Sequence, residues 1–143
     1  MQGINFDEML DKIIARDARY PREAYNFVRE ALDHTQKMIG KAPKNDAPRH
    51  VSGRQLLDGI RDHALQQFGP MTITVLHEWG LRRCEDFGEI VFNMVENSLL
   101  AKTDSDTRED FKGGYTFEEA FRKPFLPQHR LQSAAKAAAM KGF

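Results

Sequence analysis

Residues Phe68 to Leu100 read FGPMTITVLHEWGLRRCEDFGEIVFNMVENSLL and hold the chain's single Trp and single Cys. Pro70 follows Gly69, and a proline in a first helical turn gives up an N–H that would be unpaired anyway. The pattern predicts a helix from there to Trp79, closed by Gly80, a residue that tolerates the left-handed conformation of a helix end. A second helix is expected to open at Cys84–Asp86, where Glu85 and Asp86 suit the positive end of its dipole. Phe87, Ile90, Val91, Met94, Val95 and Ser98 recur at helical spacing as one stripe. Phe92 and Leu99 lie off that stripe, so this helix should be contacted on two sides. Met71, Val75, Leu76 and Trp79 form the expected matching face, with Trp79 buried.

Two helices joined by a short glycine-containing turn have the form of a helix-turn-helix. A helix before them (Gln55 to Phe68) and a hairpin after them (Leu99 to Phe111) would complete a winged-helix-like centre. The same order fits any compact helical domain. The fold class expected is all-α, with about five or six helices and a small β-hairpin after Leu100 as the one departure.

Working outward, Asn5 and Glu8 stand at capping-box spacing, with Ile4 and Met9 placed as a hydrophobic staple. Phe6, Met9, Leu10, Ile13 and Ile14 then run as an apolar stripe to about Arg16. Pro21 opens a second helix whose face is Ala24, Phe27, Val28, Ala31, Leu32, Thr35 and Ile39, and Gly40 ends it. Lys41 to Arg49 is a proline-containing loop. Ser52 and Gln55 repeat the capping-box spacing before the stripe Leu56, Leu57, Ile60, Ala64 and Phe68. Beyond Leu100 the chain turns polar and acidic from Asp104 to Asp110, and Gly113-Gly114 marks a turn. Thr116 and Glu119 cap a short helix that Pro124 and Pro127 stop. Residues 1–123 are read as a single helical domain. Residues 124–143 are read as a basic, Ala-rich tail, of which residues 128–143 can be deleted without loss of the fold.

Lys+Arg and Asp+Glu balance at 21 each, so no overall charge draws the chain to nucleic acid or to an anionic membrane. One Cys rules out an internal disulfide framework and suits a reducing compartment. The acidic N-terminus MQGINFDEML is unlike a signal peptide, and no segment has the length of a membrane span. A cytoplasmic protein with no membrane partner is expected.

The stretches ARDARYPREAYNFVREAL, HVSGRQLLDGIRDHALQQFGPMTITVLHEWG, EDFGEIVFNMVENSLL and DFKGGYTFEEAF resemble a family of small proteins found mainly in Planctomycetes and Verrucomicrobia. They cover most of residues 15–121. The resemblance implies one folded unit to about Phe121 and brings no activity with it.

Motifs that carry chemistry fail at defined positions. His77-Glu78 begins as a zincin HExxH, but position 81 is Leu. Asp104-Ser-Asp106 begins as a calcium loop, but Glu109 stands where glycine must turn and Tyr115 where a bidentate glutamate must bind. No metal and no cofactor is therefore expected. Cys84 has Arg82 and Arg83 beside it at a helix start, features that lower a thiol pKa, yet no local signature supplies a base. On the helix that would read DNA, Glu85, Asp86, Glu89 and Glu96 would meet phosphate, and Arg82 and Arg83 do not offset them. The function expected is a non-catalytic protein-interaction module with an unknown protein partner, Arg82, Arg83, Arg130, Lys136 and Lys141 being the candidate binding residues. The alternatives are a nucleic-acid-binding protein that uses basic loop and tail segments (Lys41, Lys44, Arg49, Arg54 and the tail), and an enzyme with a site near His63, His77 and Cys84.

Overall fold

Asn5 starts the first helix because its side-chain oxygen accepts the Glu8 N–H at 3.2 Å, relieving one of the unpaired donors of the first turn. Helix α1 (Phe6–Arg16) follows in the computed structural model, which describes residues 5–40, 51–100 and 108–127. Pro21 stands just before α2 (Arg22–Ile39), and Gly40 at φ 79° closes it. Ser52 and Gln55 form the reciprocal capping box that opens α3 (Gly53–Phe68). A 3-10 turn at Gly69–Met71 leads into α4 (Thr72–Glu78), and Gly80 at φ 78° reverses the chain toward α5 (Cys84–Glu96). Short helical turns complete the described chain at Arg108–Phe111, Glu118–Arg122 and Lys123–Phe125.

The core gathers from every helix: Leu10 and Ile13, then Tyr25, Val28 and Ala31, Leu57, Ile60 and Ala64, Leu76 and Leu81, and Phe87, Ile90 and Met94. Phe111, Phe117 and Phe121 join it from the polar region after Leu100. Each such aromatic contributes about 1.5–3 kcal/mol by leaving water, which anchors a segment with little regular structure of its own. Helices α2 and α3 approach most closely where Gly59 faces Thr35. A β-carbon at Gly59 would sit 1.6 Å from Thr35 Oγ1, so only glycine fits. The buried Thr35 hydroxyl is satisfied within its own helix, donating to the Ala31 carbonyl at 2.6 Å.

The all-helical expectation is met among the described residues, which contain no strand. The arm of the expected hairpin that is described, Arg108–Phe111, is a 3-10 turn. Phe111 is the reason. It turns inward to lie against Gly53 and Gly88, whose missing side chains make room for its ring. Residues 101–107, the rest of that hairpin, lie outside the described residues, as do the staple residue Ile4, the loop Lys41 to Arg49 and the tail from residue 128 onward.

The face of α4 also differs from expectation. Thr72, Ile73 and Leu76 are buried, whereas Met71 is 56% exposed. The 3-10 turn advances by three residues per turn instead of 3.6, which shifts the phase of the helix that follows. Trp79 is only partly buried. Its ring covers Phe27 and Phe68, with centroids at 5.6 and 5.8 Å, and closes one edge of the core instead of filling its centre.

Candidate functional site

The entry to α5 is built from alternating burial. Leu81 is fully buried and its N–H bonds the Leu76 carbonyl at 2.9 Å. Cys84 is buried as well, so Arg82 and Arg83 between them turn to solvent. Asp86 fixes this turn: its Oδ2 accepts the backbone N–H of Arg82 at 2.8 Å and of Arg83 at 3.2 Å. Arg82, Arg83 and Glu85 from the entry to α5, with Gly113, Gly114, Tyr115, Thr116, Phe117 and Glu119 from the later segment, line a cleft of about 410 Å³. The later segment is held in place by core contacts. Tyr115 donates its hydroxyl to the Leu57 carbonyl at 2.8 Å. A β-carbon on Gly114 would meet Leu57 Cδ1 at 2.7 Å and Cys84 Sγ at 3.2 Å. Thr116 Oγ1 accepts the Glu119 N–H and donates to Glu119 Oε1, both at 3.1 Å. Among the described residues neither Arg82 nor Arg83 is paired with a carboxylate.

Three further polar residues of α5, Asp86, Glu89 and Asn93, are engaged by the chain itself. Tyr20 donates its hydroxyl to Asp86 Oδ1 at 2.7 Å, and Arg19 Nη2 lies 3.3 Å from Glu89 Oε1. Asn93 Nδ2 donates to Tyr25 Oη at 2.9 Å and to Asp17 Oδ2 at 3.1 Å. Arg19 also clamps Asp17, with Nη2 to Oδ2 at 2.6 Å. That hydrogen bond holds the Asp17 carboxyl far below the usual carboxylate range, with Asn93 adding to the effect. Burial, followed by the negative Asp86, pushes the Tyr20 hydroxyl above its ordinary value, and burial does the same for Tyr25. Asp86, Glu89 and Asn93 are therefore a packing seam against the α1–α2 connection. The expectation of an acidic helix face repelling phosphate is corrected for these residues, which are turned largely to the protein.

The Cys84 expectation is overturned in sign. Its thiol is pushed up to about 11, chiefly by burial; the Tyr115 carbonyl contact and the more distant Arg54 lower it only in part. Desolvation outweighs the neighbouring arginines because the sulfur points into the core, toward Tyr115 O at 3.4 Å, while their charges stay in water. His63 lies between Phe27 and His34, with ring centroids at 5.5 and 5.2 Å. Its Nε2 is buried without a hydrogen bond, 3.6 Å from Glu30 Oε1. His34 Nε2 lies 2.7 Å from Asp62 Oδ2. His77 is exposed and stacks on Phe117 at 6.5 Å. His63, His77 and Cys84 thus have different neighbours. Among the described residues no group of three or more His, Cys, Asp or Glu side chains could hold a metal.

Arg130, Lys136 and Lys141, the other candidate binding residues, lie outside the described residues. The seam residues Asp17, Arg19, Tyr20 and Tyr25 carried no signal in the sequence, since their partners lie 66 to 76 positions away. No described helix is long and apolar enough to cross a membrane. No protein-family model, curated protein or solved structure matches the chain.

Proposed function

We propose that the chain is a non-catalytic protein-interaction module that docks its partner at the cleft beside Arg82 and Arg83. One observation carries this reading: Arg82 and Arg83 line a cleft and are engaged by no carboxylate among the described residues, while Asp86 beside them is used internally. Catalysis has less support. The thiol beside the cleft is shut into the core and held protonated at neutral pH. The nucleic-acid alternative rests on basic residues of which only Arg54 is described, and Arg54 is occupied with the Lys112 carbonyl at 3.1 Å. The winged-helix-like centre is not needed for this function and has no described wing.

The test is a pull-down from native lysate with the wild-type chain and with Arg82→Glu/Arg83→Glu. The expected result is a protein partner retained by the wild type and lost by the variant, both having the same circular dichroism spectrum. Equal retention by both proteins, or retention of nucleic acid alone, would overturn the proposal.

A further inference from the structure

The cleft also indicates what its partner brings. Of the charged groups that line it, the two acids already have roles in this chain. The Glu119 carboxylate closes the Thr116 cap, and Glu85 lies in the first turn of α5, at the positive end of its dipole. The two cations have no such role among the described residues: Asp86 engages the backbone N–H groups of Arg82 and Arg83, and no described carboxylate pairs with either side chain. Two guanidinium groups are therefore available in the cleft, each able to take a carboxylate through two parallel N–H···O bonds.

From this arginine pair, which no carboxylate of the described residues engages, we infer that the cleft binds a short acidic segment of a partner protein, its carboxylates taken by Arg82 and Arg83. The inference rests on the interaction-module reading and narrows it to one partner chemistry. A short acidic run can end at the two arginines. A polyanion such as nucleic acid would continue past them and bring further phosphates to a cleft that Glu85 and Glu119 also line. Gly113 suits the approach of a peptide: it is exposed, adopts φ 61°, and has open space where a β-carbon would be.

The experiment is a selection of phage-displayed random peptides on the immobilised full chain at physiological salt. Fluorescence anisotropy with the most enriched labelled peptide follows, alongside a labelled random-sequence DNA duplex. The expected result is enrichment of peptides with clustered Asp and Glu. Their affinity should fall at least about tenfold in Arg82→Gln/Arg83→Gln, the scale of one lost charge-assisted hydrogen bond, and should also weaken as salt rises. Failure to enrich any peptide, enrichment of neutral or basic peptides, equal affinity for wild type and variant, or tighter binding of the duplex would each overturn the inference. A partner captured in the pull-down whose docking segment proves not to be acidic would sink this inference alone and leave the module reading standing.

Discussion

The two parts of α5 put charge to opposite uses. Along its length, Asp86, Glu89 and Asn93 meet Tyr20, Arg19, Asp17 and Tyr25, and the polar groups are consumed in holding the helix to the α1–α2 connection. At its entry, Arg82 and Arg83 face a cleft and hold nothing within the described chain. The residue types alone suggest an exposed acidic face that the two arginines at its start do not offset. The distribution of partners reverses that assignment: engaged charge is architecture, and unengaged charge beside a cavity is available for recognition.

The largest effect expected comes from the scaffold that both regions share. Gly59→Ala would drive a β-carbon to within 1.6 Å of Thr35 Oγ1 and 2.7 Å of its Cβ, forcing α2 off α3. Overpacking of this severity should cost about 3 kcal/mol, even after the ~1 kcal/mol that alanine gains over glycine inside a helix. Urea unfolding would register it, and both seam and cleft should loosen together because Tyr25 rides on α2 and Leu57 on α3.

Asn93→Ala separates the two regions. It strips a hydrogen bond from the buried Tyr25 hydroxyl and another from Asp17, so a loss of about 1–2 kcal/mol is expected. Binding at the cleft should be unchanged. If binding falls in step with stability, the seam and the cleft are not the independent regions described.

Acid should weaken the seam as well. The Asp17 carboxyl is depressed in the folded chain by Arg19, so its contribution is present above the unfolded value near 3.9 and is lost as pH falls through the folded value. Asp17→Asn should therefore be less stable than wild type at pH 7, with a gap that narrows below about pH 4. Solvent screens this pair, since the Arg19 side chain is 53% exposed, and the gap should not exceed about 1 kcal/mol. Thermal melts of both proteins across that range would measure it.

The smallest effect belongs to the cleft. Arg82→Gln/Arg83→Gln should leave stability within about 0.5 kcal/mol of wild type, the range for exposed side chains that hold no structural contact. A loss well beyond that in urea titration would mean that the arginines serve the fold and are not reserved for a partner.

What could be read in the sequence was mostly local. The caps at Asn5, Ser52 and Thr116 and the stops at Gly40 and Gly80 depend on groups a few residues apart, so their spacing disclosed them. The phase of α4 was missed because a three-residue 3-10 turn after Phe68 leaves no apolar period of its own. The 3-10 turn at Arg108–Phe111 was missed because Phe111 is one aromatic in a polar run, and its packing on Gly53 and Gly88 acts across the fold. Cys84 was legible as a small residue at a helix start, but the direction of its thiol shift was not, because sequence neighbours show charge but not burial. Of the site, Arg82 and Arg83 were legible as an unbalanced basic pair. The Gly113–Phe117 wall was legible only as a turn and a cap, since nothing in the spacing brings Tyr115 to Leu57.

The central claim is that Asp86 and Glu89 of α5 turn inward as packing contacts, and a double-mutant cycle between Tyr20→Phe and Asp86→Ala tests it most directly. The cycle cancels the separate role of Asp86 in capping Arg82 and Arg83, leaving only its contact with Tyr20. A coupling of about 1–2 kcal/mol in urea unfolding is predicted for a part-buried hydroxyl donating to a carboxylate. Additive losses, with no coupling beyond experimental error, would mean that Asp86 does not hold Tyr20 and that the acidic face of α5 is available to a partner after all.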